Sequence, residues 1–288
     1  MRRFCIGDIH GKYDRLQDVL ERCKFSDDDI LYSVGDFCDR GNQNLKTLNF
    51  LMDLKNFQPV IGNHDTWLYF WADWKANKTP LNRYAFECWH DWNGGVRTVA
   101  ELKDQDQEWF NKLYDWLKDI PYIRHLDNDR VIVHSVAPSN IIKNRQVNMP
   151  IDEITLETLL ESGLLQDEEY DSALWNRDVI RSCRGYLDLE GRRGFGTNYF
   201  AEEFKGIPVY FIGHTPLFGP FYDADMGIVG LDTGSFCDTK DGWDIDGRIT
   251  VVDIDTFDCW QSKVWYQKEK ECWQFNLLED WNKAKESR

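Results

Sequence analysis

No apolar run in the 288-residue sequence is long enough to cross a bilayer. The longest such stretches, VIVHSVAP at Val131–Pro138 among them, fall far short of the ~20 residues a spanning helix needs. Clustered Lys and Arg are also missing: 34 basic side chains stand against 50 acidic ones, a formal net charge of −16. Affinity for a nucleic-acid backbone rests on such clusters, so neither nucleic acid nor a membrane is an expected partner. The eight cysteines (Cys5, Cys23, Cys38, Cys88, Cys183, Cys237, Cys259 and Cys272) include no CxxC pair, and the start MRRFCIGDIHG carries no apolar leader segment before its first motif. Reduced thiols and a cytoplasmic location are the expectation. Repeats, low-complexity tracts and linkers are absent as well. One domain over 1–288 is expected, with about 266–288 as a C-terminal extension.

What is present is an ordinary apolar content of 42% with an aromatic share of 15% that includes 13 Trp, a supply of large side chains suited to a rigid core or a lined cleft. Buried-strand runs at Phe4–Ile9, Asp29–Val34 and PVIG alternate with amphipathic helices at YDRLQDVLERC and Leu45–Leu54. That alternation predicts a parallel sheet with crossover helices. Trp67 to Lys118 reads as mainly helical, broken at Gly94 and Gly95. Arg130–His134 returns to strand, Ile151–Arg184 has helical periodicity, and YLDLEGRRGFGTNYF reads as a Gly-rich loop. VYFIGH, GIVGLDTG, RITVVDID and CWQSKVWYQ read as strands, and the tail from Lys268 as a surface helix or frayed end.

Three loops follow the first three strands: GDIHG at Gly7–Gly11, GDFCDRG at Gly35–Gly41 and GNHD at Gly62–Asp65. Their spacing of roughly one βαβ unit, ~30 residues, opens all three at one carboxyl edge of a sheet, where α/β folds place their sites. VHS at His134 and GHT at His214 add two more loops after β-like runs. Asp8, His10, Asp36, Asn63, His134 and His214 thus offer carboxylate, imidazole and amide donors, the mixture that hard-to-borderline divalent cations take. One carboxylate has two oxygens and can bridge two cations; a pair ~3.5–4 Å apart clamps the attacking and leaving oxygens of a phosphoryl displacement. A single such motif is usually a turn former. Four of the six histidines sit at these strand ends, however, three of them (His10, His64 and His214) with glycine within two residues, whereas His90 and His125 do not.

The ordered set GDIHG, GDFCDRG, GNHD, VHS and GHT resembles the calcineurin-like metallophosphoesterases, and within them the phosphoprotein phosphatase branch with its small bacterial and phage serine/threonine phosphatases. The resemblance spans Phe4 to about Asp253 and implies an α/β (α+β) metal-centred β-sandwich flanked by helices. It implies a first metal on Asp8, His10 and Asp36, and a second on Asp36, Asn63, His134 and His214, with Asp36 bridging. His64 matches the proton donor to the leaving group, Asp39 the carboxylate that orients it, and Arg40 a phosphate-binding arginine. The WNR triplet Trp175–Arg177 matches the phage enzymes, where its arginine is a second phosphate clamp. RRG at Arg192–Gly194 offers Arg193 as a rival for that role, with Arg177 preferred. The cofactor implied is two divalent cations, Mn2+ first, with Fe or Zn2+ also admitted. The mechanism implied is direct attack of a metal-bridging hydroxide on phosphorus.

Departures from the pattern bear on substrate. VHS stands for the commoner VHA, and GNHD for the GNHE usual in protein phosphatases. The symmetrical diadenosine tetraphosphate hydrolases have a second motif resembling GDLVARG, without the carboxylate that Asp39 supplies. Asp39 and WNR together make phosphomonoesters the expected substrates, phosphoserine and phosphothreonine in a phosphorylated protein or peptide included. A dinucleotide or other small phosphoester is the alternative. A metal-free binding module descended from the enzyme would show a missing ligand, and none of the six is missing.

Overall fold

In the computed structural model, residues 1–126, 130–135, 155–158, 173–194, 209–243, 245–264 and 274–286 are described. The expected helical stretch Ile151–Arg184 lies largely outside them, as do the second half of the Gly-rich loop and the end of CWQSKVWYQ.

Two mixed sheets face each other. The first has the order β11-β10-β9-β1-β2-β3, built from β1 (Arg3–Ile6), β2 (Ile30–Ser33), β3 (Phe57–Pro59), β9 (Thr250–Asp253), β10 (Asp258–Gln261) and β11 (Gln274–Asn276). β4 (Ile123–Leu126), β5 (Arg130–Val133), β6 (Val209–Ile212), β7 (Phe221–Asp223) and β8 (Ile228–Gly230) form the second, in the order β4-β5-β6-β8-β7. The strands read as continuous apolar runs because both of their faces are covered. Successive side chains point to opposite sides: Phe4 and Ile6 belong to the core under the helices, while Cys5 lies in the core between the sheets. Val131 and Val133 split from Ile132 in the same way, and Tyr210 and Ile212 from Phe211. The helix-flanked β-sandwich expected from the resemblance is thus the observed architecture.

α1 (Tyr13–Arg22), α2 (Asn44–Asp53), α3 (Asn63–Lys75), a short α4 (Arg83–Glu87), a π turn over Cys88–Trp92, α5 (Gly95–Leu102) and α6 (Gln107–Lys118) cover the first sheet; a short α7 (Asp178–Ser182) precedes β6, and α8 (Leu277–Glu286) closes the chain. β1, β2 and β3 pair in parallel, as do β5, β6 and β8. Their carboxyl ends therefore open together.

Several boundaries differ from expectation. β3 covers Phe57–Pro59 instead of PVIG, because after the Val60 amide bonds Ser33 the next amide, that of Ile61, turns to Pro121. The tail contributes β11 as well as a helix. Seven of the cysteines lie among the described residues and are free. No helix among the described residues is long and apolar enough to cross a membrane.

The start of β1 is tied down by one buried carboxylate. Asp29 accepts from the Arg2 backbone at 2.9 Å, from its guanidinium at 2.7 Å, and from Ser26 Oγ at 2.9 Å. Burial opposes the charged form, yet the bonds from Arg2 and Ser26 outweigh it and hold the carboxyl well below the usual range. A depressed carboxylate contributes stability above its unfolded pKa and loses it as pH falls through the folded value. Asp29→Asn is therefore expected to lower the thermal midpoint at pH 7, with the difference from wild type shrinking progressively as pH falls below the unfolded value of about 3.9; a pH-independent difference in calorimetry would show that the charge is not what matters.

Candidate active site

The loops leaving β1, β2, β3, β5 and β6 bring Asp8, His10, Asp36, Asn63, His134 and His214 into one buried cluster. His10, Asp36 and His64 offer ligand atoms all within 4.8 Å of one another, and so do Asp8, Asp36 and His134. Asp36 is common to both groups: its Oδ2 lies 3.7 Å from His10 Nε2 and its Oδ1 3.6 Å from His134 Nε2. Asn63 Oδ1 sits between two imidazoles, 2.8 Å from His134 Nε2 and 3.0 Å from His214 Nδ1. The grouping differs from the one the resemblance implies: His64 stands with His10 and Asp36 where Asp8 was expected, and Asp8 falls with Asp36 and His134.

The backbone is bent to achieve this. His10, Asp36, Asp39, Arg40 and His214 all have positive φ, between 49° and 73°, a region that L-residues enter at a cost and that gathers at functional sites. Two glycines make room: a Cβ at Gly62 would collide with Asp36 Oδ1, and one at Gly213 with Asp8 Oδ1. Asp65 fixes the Asp36 loop, its carboxylate accepting from the amides of Asp36 (2.6 Å), Phe37 (2.9 Å) and Gly62 (2.9 Å). The short Asp of GNHD is thus a backbone clamp.

Do these residues fit a cation pair? Burial, with mutual repulsion among Asp8, Asp36 and Asp232, raises the carboxyl of Asp8 well above its ordinary range; burial raises that of Asp36 to about 8. The imidazoles are pushed the other way: burial lowers His134 to about 4, and burial with the charge of Arg40 lowers His10. His214 Nε2 and Asp232 Oδ2 are buried without a partner among the described residues. Neutral imidazoles, crowded carboxylates and orphaned donor atoms are what a site built for positive charge looks like without it. The residues fit.

Beside the cluster lies a buried imidazole–carboxylate pair. His64 Nδ1 is 2.6 Å from Asp39 Oδ2, and Asp39 is held by Trp89 Nε1 at 2.6 Å and Thr98 Oγ1 at 2.5 Å. Burial raises the Asp39 carboxyl to about 6, and burial with the charge of Arg40 lowers His64. Arg40 donates to His10 Nε2 at 3.2 Å and lies over the Phe236 ring. Arg177 stands near enough for its charge to lower His134 and His214. It is placed by its neighbours in WNR: Asn176 Oδ1 accepts from the amides of Asp178 and Val179, and Ser135 Oγ bonds the Asn176 carbonyl. The Ser of VHS therefore ties this loop to the triplet. Arg193 lines the same cleft as Arg177. His90 bonds its neighbour Asp91 at the surface, and His125 lies on β4.

Sequence reasoning passed over Asp232, Trp89 and Thr98. Asp232 follows β8 as Asp8 follows β1, an acidic residue beside glycine after an apolar run, so the same signal marks it. Trp89 and Thr98 reach Asp39 across 50 and 59 residues, and no local pattern announces them.

Residues 1–218 match the calcineurin-like phosphoesterase family. A symmetrical bis(5'-nucleosyl)-tetraphosphatase of Pasteurella multocida (strain Pm70) is 44% identical over 208 residues, 70% of this chain and 66% of the relative. One from Pseudomonas putida (strain W619) is 27% identical over 292 residues, 89% of this chain and 91% of that protein. Among solved structures, a protein serine/threonine phosphatase from Saccharomyces cerevisiae superposes with a TM-score of 0.55 at 14% identity, covering 94% of this chain and 82% of that one. At that identity the likeness speaks for the fold alone.

Proposed function

Since the chain belongs to the calcineurin-like phosphoesterase family, we propose that it is a dinuclear metal-dependent phosphoric ester hydrolase whose substrate is a dinucleoside polyphosphate. The observation that carries the hydrolase reading is the meeting of two ligand groups on the one carboxylate of Asp36. Asp8, His10 and Asp36 would hold one cation and Asp36, Asn63, His134 and His214 the other. Two cations there supply Lewis-acid activation of water and offset charge on the phosphoryl oxygens. Arg40 and Arg177 would fork onto those oxygens, and the cluster's burial excludes competing solvent. Mn2+ is the proposed metal, its donors being mixed oxygen and nitrogen.

For the substrate, the order expected from the sequence is reversed. The relative that is 44% identical carries the name of a symmetrical tetraphosphatase, and such likeness in sequence weighs more than a fold shared with a protein phosphatase. The phosphomonoester reading stays as the second because one observation favours it: the Asp39–His64 pair at 2.6 Å provides an acid that an alkoxide leaving group needs.

The test is hydrolysis of diadenosine tetraphosphate, a phosphothreonine peptide and an aryl phosphate by Mn2+-reconstituted protein. The dinucleotide is expected to have the highest kcat/KM; a peptide preferred by tenfold would restore the second reading. Chelation should remove all three activities and Mn2+ restore them. Full turnover in protein shown to be metal-free would end the dinuclear mechanism.

A further inference from the structure

A cleft of about 840 Å³ adjoins the cluster, with Arg177, Thr215 and Phe236 in the shared wall. A single phosphoryl group needs far less; the volume matches the roughly 300–1,000 Å³ of sites for ligands the size of a nucleotide. Its chemistry runs against that of the chain. The protein carries a formal −16, yet among the described residues four arginines and two carboxylates line this cleft. Both carboxylates, Asp188 and Glu190, are paired with Arg192 at 2.7 and 3.0 Å. Among the described residues the guanidinium groups of Arg177, Arg181 and Arg193 have no side-chain partner. Three guanidiniums in one concavity of an acidic protein, without a side-chain partner among the described residues, make a local anion receptor.

An aromatic path leads outward from the cluster along the same cleft. The Phe236 ring is 5.2 Å from that of His10 and 5.1 Å from that of Trp243. Phe236 is buried, whereas Trp243 is 47% exposed. A large indole left half open, braced edge-on by a buried ring, is a ready stacking surface for a planar base.

We propose that this cleft is a nucleoside-diphosphate subsite, in which Arg181 and Arg193 take phosphates beyond the one attacked and Trp243 carries the base. It rests on the polyphosphate reading above and names where the unreacted half of such a substrate is held. The subsite explains how a strongly acidic chain accepts a highly anionic ligand: the favourable charge is concentrated on one wall. Arg177, between cluster and cleft, then marks the junction of the attacked phosphate with the rest.

The test compares ADP with inorganic phosphate as inhibitors of aryl phosphate hydrolysis by the Mn2+-loaded protein. ADP is expected to inhibit at least tenfold more tightly than phosphate and to quench indole fluorescence. Trp243→Ala should weaken ADP by about tenfold, the scale of one lost base-stacking contact, and Trp243→Phe should recover most of it. Arg181→Ala combined with Arg193→Ala should weaken ADP by at least as much, while the phosphate inhibition constant shifts less than twofold. Equal inhibition by ADP and phosphate in wild type, or variants in which both shift together, would overturn the subsite. If ADP binds as expected but the dinucleotide is not hydrolysed, the subsite stands and the substrate reading falls. If the dinucleotide is hydrolysed but its KM and the ADP constant are unmoved in these variants, the reverse holds. A phosphopeptide KM that rises in the arginine variant while ADP inhibition is unchanged would assign the cleft to peptide instead.

Discussion

Asp36→Asn is expected to strip both cations at once and to lower turnover by about 10³-fold or more, the scale on which several kcal/mol of Lewis-acid stabilisation are lost. The expectation comes from position: Asp36 is the member common to both ligand groups, with one oxygen toward His10 and the other toward His134. Asparagine keeps the size and can still accept the bond that Asp36 Oδ1 takes from the His64 amide at 3.0 Å, so the loop has no reason to rearrange. What it loses is the charge and the second oxygen. Metal analysis after gel filtration should find fewer than one equivalent where wild type keeps two.

The same substitution carries an opposite effect on the metal-free protein. Burial lifts the Asp36 carboxyl to about 8. A carboxyl raised on folding contributes stability below its unfolded pKa of about 3.9 and loses it as pH rises through the folded value. Metal-free wild type should therefore weaken progressively between about pH 4 and pH 8, and metal-free Asp36→Asn should not share that part of the decline. A variant that is inactive, metal-poor and yet more heat-stable than metal-free wild type at pH 8 would mark a charge held for function at the expense of stability. Retention of both metals and of turnover would show that Asp36 does not bridge.

Much of this centre could be read from the chain because the β1–β3 loops obey local rules. Each follows a short apolar strand, each carries glycine, and each repeats after about one βαβ unit, so topology alone carries them to one edge. His134 and His214 likewise follow apolar strands on the second sheet, though only the His214 loop carries glycine. Legibility ends where contacts are distant or where a strand lacks a pattern. Trp89 and Thr98 meet Asp39 only because α5 and the π turn fold back over the β2 loop. β7 pairs with β8 as a three-residue hairpin arm, and β11 joins the first sheet's edge from a tail of mixed charge. Neither has the alternation that identifies a strand. Substrate is harder still, because it depends on a cleft assembled from the segments before β6 and after β8, where polar side chains are sparsely constrained by the core.

His64→Asn separates the two substrate readings as well as testing a role. Both cations should remain, since His64 is absent from the ligand set the resemblance implies, and turnover of an alkyl phosphate should fall by roughly 10²–10⁴, the range for loss of a general acid. The loss should be far smaller for a nitrophenyl ester, whose leaving oxygen is weakly basic and departs without a proton. Symmetrical cleavage of a dinucleoside tetraphosphate releases a nucleoside diphosphate, again a weakly basic leaving group. If the dinucleotide is the substrate for which the site is built, His64→Asn should spare its hydrolysis while crippling that of the phosphothreonine peptide. Dependence on the acid should also follow pH in wild type: burial and the charge of Arg40 lower His64, so its acid form is lost as pH rises and the ratio of peptide to nitrophenyl turnover should fall on the alkaline side. Equal losses for good and poor leaving groups would remove His64 from proton transfer and leave the 2.6 Å contact with Asp39 as a brace for the β3 loop.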